Sequence, residues 1–449
     1  MKRIVSPENH SAMRKLLPAG ILAVSCMAAL AGCGEEKKAE EKTENTEFSP
    51  TMDTEAKAEI RVQGSWSNFE ALEAAAADWN EVYPNVIVNY NKADAYYDQL
   101  DRIVSAENVP EIVMFDTDAD YVNKDTVVDY LVDLSEIGLN TDIFDSGILD
   151  TFYYHDKMTS LNWGMRIPGF VVNKTLLADL DLEIPKTQED FQQVCDTLVE
   201  KGYTPLQGST ENVYYLVMQN DRDYHVAQAE DQETLYESFS NEDQDCGAYF
   251  EDEFSTMLDM VEKGYINGDV NDSFEDIYEM SILKFFEGDM PFLVFTTEGF
   301  SGMKKRETKS EAFTEKPFEY EFVSLPVSRE DPVLSMAAFG GLAIVKDGEN
   351  EKWAEEFLRF LCSDEELDKM AYIKGVPAVT KNGSDDERFA EIDAIPADRK
   401  IVAASYPAIS VVEASFSDTL WKITCREITD VDEAESYFVQ MLGELKIDK

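Results

Sequence analysis

Short apolar segments alternate with helical patterns at the start of the folded part of this chain, and that alternation limits the folds open to it. The apolar segments lie at 60–66, 86–90 and 112–115. Strands that alternate with helices at this spacing favour an α/β fold, in which a parallel sheet carries helices on both faces. Ligands of such sheets bind beyond the carboxyl ends of the strands, and here those ends are Ser65, Trp66 and Asp116.

Two predicted helices begin with the spacing of a capping box, in which two side chains bond each other's backbone N–H groups. Ser67 and Glu70 have this spacing before the first helix, and Thr187 and Asp190 have it before a later one. The apolar face of the later helix includes Cys195, so this cysteine is predicted to be a core residue.

Residues 1–32 are predicted to be a cleaved leader. Arg14-Lys15 precedes the apolar run 16–31, which is shorter than the ~20 residues of a membrane span. The sequence Leu30-Ala31-Gly32-Cys33 resembles the lipobox of bacterial lipoproteins. That resemblance implies that Cys33 becomes the lipidated first residue of a mature protein on the outer face of the cell membrane. An ordinary secretory signal with an incidental cysteine is the alternative.

Residues 33–58 are predicted to be the lipidated cysteine and a disordered tether. The segment is mostly Glu, Lys, Thr and Ala, with Phe48 as its one aromatic residue. Such a composition buries too little apolar surface to offset the entropy of ordering. The prediction is the same whether the chain starts at Met1 or at Met13.

The charge of the chain excludes one class of partner. There are 39 Lys and Arg residues against 91 Asp and Glu residues, a formal net charge of −52. Such a field repels phosphate backbones and anionic headgroups, so no nucleic acid partner is predicted and membrane attachment must come from the lipid. The acidic residues are scattered among apolar ones, which favours a solvated surface over an acidic binding tract.

The spacing of the cysteines does not indicate a disulfide framework. Beyond Cys33 they are Cys195, Cys246, Cys362 and Cys425, and no two are spaced as C-x-x-C. Neither a dense disulfide scaffold nor a zinc ribbon is indicated. Buried free thiols are predicted, and a single disulfide stays open as an alternative.

Four short motifs occur in a characteristic order along the chain. They are Gly64-Ser65-Trp66, Val172-Asn173-Lys174-Thr175-Leu176-Leu177, Ile184-Pro185-Lys186-Thr187 and Phe286-Glu287-Gly288-Asp289. In this order behind a lipobox, they resemble the extracellular solute-binding proteins of carbohydrate ABC importers, family 1, the class of maltose-binding protein. The resemblance covers most of the chain from Glu59 onward.

The resemblance implies a two-lobed, periplasmic-binding-protein-like (type II) α/β fold whose lobes are joined by crossing hinge strands. Lobe 1 would comprise 59–166 and 328–362, and lobe 2 would comprise 167–327 and 363–449. The lobes would close over a sugar or oligosaccharide and deliver it to ABC permease subunits in the membrane. A monomer without cofactor or catalytic activity is implied.

Sugars present apolar ring faces and hydroxyl edges, so their sites need flat aromatic rings beside fixed carboxylates. The candidate rings are Trp66, Trp163, Tyr214, Phe300 and Trp421, and the candidate hydroxyl acceptors are Asp116 and Glu298, with Ser65 beside them at the end of the first strand. The resemblance points to Glu298 and Phe300 by position and to Tyr214 as a stacking ring, although the family usually has tryptophan where Glu298 stands. For each ring, plain core packing is the alternative.

No metal site is predicted. Asp116, Asp118 and Asp120 have the spacing of a calcium loop, but Tyr121 stands where such a loop needs glycine and Val127 where it needs glutamate. The chain also has no H-E-x-x-H, no G-x-S-x-G and no P-loop.

Three other functions stay open. A polyamine or cation receptor is favoured by the net charge, and a non-transport surface lipoprotein would keep the fold with a vestigial cleft. A glycosidase needs only two carboxylates at working distance, and sequence does not reveal such a pair.

Overall fold

The computed structural model describes residues 48–445, except 68, 116–124, 155, 272–273, 275–277, 382, 384–385 and 404–408. The predicted lipidation site Cys33 and the predicted ligand residue Asp116 both lie outside the described residues.

The described strands are β1 (Ala58–Gly64), β2 (Val86–Lys92), β3 (Ile112–Phe115), β4 (Tyr153–Tyr154), β5 (Lys157–Met158), β6 (Gly164–Arg166), β7 (Pro168–Asn173), β8 (Leu206–Gln207), β9 (Phe292–Thr296), β10 (Tyr320–Val323), β11 (Leu334–Phe339), β12 (Gly341–Ile344) and β13 (Lys400–Val402).

The described α-helices are Glu70–Val82, Leu100–Val104, Asp125–Val128, Ser146–Asp150, Lys174–Asp179, Gln188–Glu200, Thr210–Leu216, Gln219–Ala227, Gln232–Asn241, Glu251–Lys263, Gly268–Asn271, Glu279–Phe285, Thr297–Ser301, Met303–Arg306, Glu311–Glu315, Glu351–Leu361, Asp364–Lys374, Ala390–Asp393, Ile409–Thr424 and Val431–Glu444. Short 3-10 helices lie at Tyr97–Gln99, Leu134–Glu136, Thr141–Ile143, Cys246–Phe250, Glu307–Lys309, Glu387–Phe389 and Ala397–Arg399.

The first sheet has the strand order β12-β3-β1-β2. Its strands β1, β2 and β3 pair in parallel, as the alternation of strands and helices predicts. β12, which lies far along the chain from β3, pairs with it antiparallel. Side chains alternate between the faces of β3, so that Ile112 and Met114 enter one hydrophobic cluster while Val113 and Phe115 enter another.

The second sheet has the strand order β10-β7-β9-β8. Here β7 is antiparallel to both of its neighbours, and β8 is parallel to β9. Its two faces are also both buried: Phe170 and Val172 enter one cluster, and Val171 enters the other. Each sheet thus has its own core, and the predicted two-lobed α/β fold is confirmed.

Among the described residues, the chain crosses between the buried parts of the two cores in three places. Along the first, Met165 packs with the first sheet and Ile167 with the second. The second crossing is β11, which runs from Leu334 in the second core to Phe339 in the first, and the third runs between Val379 and Phe389. β11 pairs with β6 and β13 in a small sheet of its own at the junction.

The helix Asp364–Lys374 packs in the core of the first sheet through Leu367 and Met370. Part of the segment expected to be a tether also lies on this core, where the ring of Phe48 meets that of Phe360 edge-on at 5.4 Å. The composition of the segment alone does not reveal that its one aromatic residue has a partner so far along the chain.

The two predicted capping boxes have different outcomes. Thr187 and Asp190 form the box as predicted, with both reciprocal hydrogen bonds present. The box at Ser67 and Glu70 is wrong, because Phe69 is the N-cap residue of that helix and no side chain caps it. Phe69 is 1% exposed, so burial of its ring decides how the chain enters the helix.

Cys195, Cys246 and Cys362 are buried free thiols, and Cys425 is exposed. Burial raises the pKa of the Cys246 and Cys362 thiols to about 12, so both are protonated and inert at neutral pH. Within the part of the chain that the structure describes, no helix is both long and apolar enough to cross a membrane.

The helix Gln219–Ala227 holds the crossing strand β11 by polar contacts. Asn220 accepts a hydrogen bond from the backbone N–H of Ser335 at 2.9 Å, and Asp223 accepts one from the hydroxyl of Ser335 at 2.6 Å. On the same helix Asp221, which is 2% exposed, accepts hydrogen bonds from the hydroxyl and the N–H of Ser328.

We expect Asp221→Asn to stabilise the protein at pH 8 by about 2 kcal/mol and to leave its stability near pH 4 almost unchanged. Burial raises the pKa of Asp221 from its ordinary value of 3.8 to about 6, and the nearby Glu253 acts in the same direction. The folded state holds the Asp221 proton more tightly than the unfolded chain does, so this proton stabilises the fold at low pH. The stabilisation is lost as the pH rises through about 6. Urea unfolding at several pH values measures the difference between the two proteins.

The matched control is Asp269→Asn, which makes the same change of charge on an exposed residue. It measures the effect of this change of charge on a side chain outside the core. A difference for Asp221→Asn that does not change between pH 4 and pH 8 would contradict the assignment of this pH dependence to Asp221.

Candidate functional site

An aromatic patch forms where the crossing strands leave the first lobe. Trp66 follows β1, Trp163 precedes β6, and Phe339 ends β11. The ring of Trp66 meets that of Trp163 nearly at right angles at 6.0 Å, and it lies within 26° of parallel to Phe339 at 5.6 Å. Trp163 and Phe339 are buried whereas Trp66 is half-buried, so Trp66 is the ring of this patch that a ligand can reach.

A glycine allows the patch to pack closely. Gly340 has φ +74°, and a Cβ atom at this position would lie well inside contact distance of the Trp163 indole. The chain can therefore turn from β11 into β12 directly against that ring. The Trp163 indole nitrogen Nε1 is buried and donates to no polar atom among the described residues.

A lysine lies over the patch. The helix Asp364–Lys374 ends at Gly375, which adopts φ +81°, and Lys374 is its last residue. The Lys374 nitrogen Nζ lies 3.8 Å from the ring centroid of Trp66 and 6.0 Å from that of Phe339. An ammonium group at this distance is attracted by the negative face of the indole.

An ion pair lies farther along the crossing segment that begins at Trp163. Arg166, the last residue of β6, donates from Nε to the Glu298 oxygen Oε1 at 2.8 Å. Burial alone would lower the pKa of Arg166, but the Glu298 charge reverses this and the pKa is raised. The second Glu298 oxygen, Oε2, is buried and accepts no hydrogen bond from the described residues.

Local structure fixes the position of Glu298. It lies at the start of the short helix Thr297–Ser301, which is capped by the Thr296 side chain. The hydroxyl of Thr297 accepts from the N–H of Ile167 and donates to the carbonyl of Met165, which ties this helix to the crossing segment. The carboxylate therefore sits beside Arg166 through backbone contacts as well as through charge.

The two lobes also touch at the edge of this region. Lys305 donates to Glu70, which begins the first helix, at 2.7 Å. The hydrogen bond from Lys305 lowers the pKa of Glu70, and the charge of Lys374 contributes in the same direction. At Gly375 a Cβ atom would lie 2.9 Å from Cβ of Ser301, so the helices that carry Lys374 and Glu298 approach each other closely.

We call the group Trp66, Trp163, Phe339, Lys374, Arg166 and Glu298 the interlobe site. It combines a reachable indole face, a carboxylate oxygen without a partner among the described residues, and two cationic groups. Such a surface suits a ligand with apolar faces and hydroxyl groups.

The predicted site residues fall into separate places. Trp66, Trp163 and Glu298 belong to the interlobe site, and the Ser65 hydroxyl beside them is buried without a partner among the described residues. Tyr214 and Trp421 pair with each other at 5.4 Å, tilted by 51°. Phe300 packs on Tyr320, Phe322 and Phe389. The ligand role of each predicted residue stays a prediction.

Sequence reasoning missed Arg166, Phe339 and Lys374. Arg166 had a usable signal, since it is the one charged residue in the otherwise apolar stretch 163–172. Phe339 and Lys374 carry no comparable signal, because each reaches Trp66 only through contacts between segments distant in sequence. Among the residues that the structure describes, no group of His, Cys, Asp and Glu side chains is arranged to hold a metal ion.

Two α/β lobes joined by crossing segments, with an aromatic and charged site at the junction, form the architecture of a two-lobed binding protein. The sequence profile of the family described as bacterial extracellular solute-binding protein matches residues 63–367. The chain belongs to this family, as its motifs predict.

Solved structures with the same fold are similar to the chain at low sequence identity. RafE in complex with raffinose is 16% identical with a TM-score of 0.64, and the match covers 87% of this chain and 100% of that one. A cyclic α-maltosyl-1,6-maltose binding protein from Arthrobacter globiformis is 15% identical with a TM-score of 0.64, covering 87% and 99%. BlMnBP1 from Bifidobacterium animalis subsp. lactis, in complex with mannobiose, is 16% identical with a TM-score of 0.61, covering 89% and 98%. Among curated proteins no relative matches.

Proposed function

We propose that this protein is a lipid-anchored receptor that captures a sugar or oligosaccharide between its lobes and delivers it to an ABC permease. The observation that carries the proposal is the half-buried indole of Trp66 at the lobe junction, with the buried oxygen Oε2 of Glu298 in the same site. Family membership supports a binding role, and proteins of the same fold have been solved with raffinose and mannobiose.

The chemistry follows from the two kinds of group. A pyranose ring places its apolar face on the Trp66 indole, while Glu298 Oε2 accepts a hydrogen bond from a sugar hydroxyl. Arg166 orients the Glu298 carboxylate through its 2.8 Å contact. Because both lobes contribute groups, the ligand has a higher affinity for the closed arrangement and shifts the population toward it.

Two parts of the proposal rest on the sequence. The lipobox ending at Cys33 supports anchoring through a diacylglyceryl group, and two acyl chains suffice for stable attachment. Permease delivery is what the family resemblance implies. Mass spectrometry of the protein from its own membrane tests the first part, since an unmodified N-terminus would contradict it.

We expect Trp66→Ala and Glu298→Ala each to weaken sugar binding by roughly tenfold to a hundredfold, because each removes a central contact of the ligand. A thermal-shift screen of oligosaccharides and polyamines first identifies a ligand, and calorimetry then measures its affinity for the variants. Tyr130→Ala is the matched control, since Tyr130 is an aromatic residue of the first lobe that is 43% exposed.

The screen also separates the other candidate functions. A response to polyamines alone would favour a cation receptor, which the net charge of −52 supports. If no sugar and no polyamine raised the melting temperature, the receptor proposal would fail. Release of products from a glycan by the purified protein would instead indicate a glycosidase.

A further inference from the structure

We propose that the ligand is an amino sugar whose positively charged amino group takes the place of the Lys374 ammonium over Trp66 and Phe339. This inference rests on the proposed function, since it names the class of sugar that the interlobe site accepts. It starts from a contact that the protein already makes with itself.

The ammonium group of Lys374 lies close to two aromatic rings of the interlobe site. Its Nζ lies 3.8 Å from the Trp66 centroid and 6.0 Å from the Phe339 centroid, while the two ring centroids are 5.6 Å apart. The ammonium group therefore lies against the Trp66 ring, and the Phe339 ring, which is within 26° of parallel to Trp66, lies farther from it.

A bound sugar and the Lys374 ammonium compete for the Trp66 ring. A sugar ring that stacks on Trp66 must displace the Lys374 ammonium and so remove a cation–π interaction. A neutral sugar replaces that interaction with dispersion alone. A ligand with an ammonium group restores it, because the rings receive one cation in exchange for another.

The displaced lysine has an acidic residue nearby. Lys374 lies close enough to Glu70 for its charge to contribute to the lowered pKa of the Glu70 carboxyl. Rotation of the flexible lysine side chain toward Glu70 therefore keeps its charge compensated. The helix that carries Glu298 closely approaches the helix that ends at Lys374, and the Glu298 oxygen Oε2 accepts no hydrogen bond from the described residues.

The charge of the whole chain acts in the same direction. A net charge of −52 attracts cationic ligands and repels anionic ones, which raises the rate of encounter with an amino sugar over that with a uronic acid. The acidic surface thus favours the same ligand class as the local contacts.

The test uses short glucosamine oligosaccharides and cello-oligosaccharides of the same length, which differ in carrying an amino group or a hydroxyl group. Calorimetry with the mature protein should show the glucosamine series binding about tenfold more tightly. Lys374→Ala should tighten binding of both series about fivefold, because it removes the internal competitor. Lys374→Arg should leave both affinities near those of the unmodified protein, because a guanidinium group also binds over indole rings.

The matched control is Lys304→Ala, which removes the same charge from a side chain that is 83% exposed. It should change neither affinity by more than about twofold. Equal or reversed preference between the two series would overturn the inference, as would unchanged or weaker binding in Lys374→Ala. Binding of neutral sugars without either effect would overturn it and leave the proposed function intact, whereas failure of every sugar to bind would overturn both.

Discussion

Glu111→Ala is expected to lower the free energy of unfolding by about 3 kcal/mol, since it breaks a buried ion pair. Glu111 is fully buried at the start of β3, where it accepts hydrogen bonds from the backbone N–H, Nε and Nη2 of Arg61 at 2.8, 3.0 and 2.7 Å. Although burial raises it, these hydrogen bonds hold the pKa of Glu111 below its ordinary value. The pair joins β1 to β3 next to the register contact between Val62 and Ile112.

The size of this effect follows from the exposure of Arg61. Its side chain is 26% exposed, so water can solvate part of the guanidinium group that Glu111→Ala leaves behind. The expected loss therefore lies at the lower end of the range for a broken buried pair. Urea unfolding measures it, with Glu59→Ala on the neighbouring strand as the control, because Glu59 is exposed and should change stability by less than about 0.5 kcal/mol. Equal losses of unfolding free energy in Glu111→Ala and Glu59→Ala would show that the buried ion pair stabilises the fold no more than an exposed carboxylate does.

Gly340→Ala is expected to lower the free energy of unfolding by about 3 kcal/mol and to weaken ligand binding as well. Two effects add at this position. The left-handed conformation at φ +74° destabilises an alanine by roughly 1 kcal/mol, and overpacking against a buried ring lowers the free energy of unfolding by about 2 kcal/mol more. Because Trp163 lies against Gly340 and touches Trp66, its displacement should disturb the surface of the proposed ligand site.

Gly138→Ala separates the two effects. Gly138 has φ +77°, but a Cβ atom there would meet nothing within 4 Å. We therefore expect Gly138→Ala to cost only about 1 kcal/mol and to leave ligand affinity unchanged. Thermal unfolding and calorimetry of both variants provide the comparison. Equal losses of stability would mean that backbone conformation alone accounts for Gly340, and the contact with Trp163 would then contribute nothing.

The sequence predicts the elements whose signals are local. β1, β2 and β3 fall where apolar segments alternate with helices, and the Thr187 capping box forms because both of its partners lie within one turn. The capping box at Ser67 fails although its spacing is the same, because burial of Phe69 determines how that helix begins. A local pattern therefore holds only where no tertiary contact competes with it.

The interlobe site shows the same division. Trp66 is recognisable because it follows a predicted strand, and sites in such folds lie beyond strand ends. Glu298 is recognisable from the position that the family resemblance gives it. Lys374 lies more than 300 residues from Trp66 in the chain, and only the packing of the helix Asp364–Lys374 on the first core brings them together. No pattern of spacing or composition encodes that contact.

The crossing strand β11 offers a means of watching the lobes move. Ser335 is held on the second lobe by its hydrogen bonds to Asn220 and Asp223, whereas Phe339 is buried in the first core. We therefore expect β11 to bend at the residues between these two when the lobes move. Those residues lead directly to the ring beside Trp66. Opening and closing should therefore alter the surroundings of that indole, and its intrinsic fluorescence should act as a built-in optical reporter of lobe motion that needs no added label.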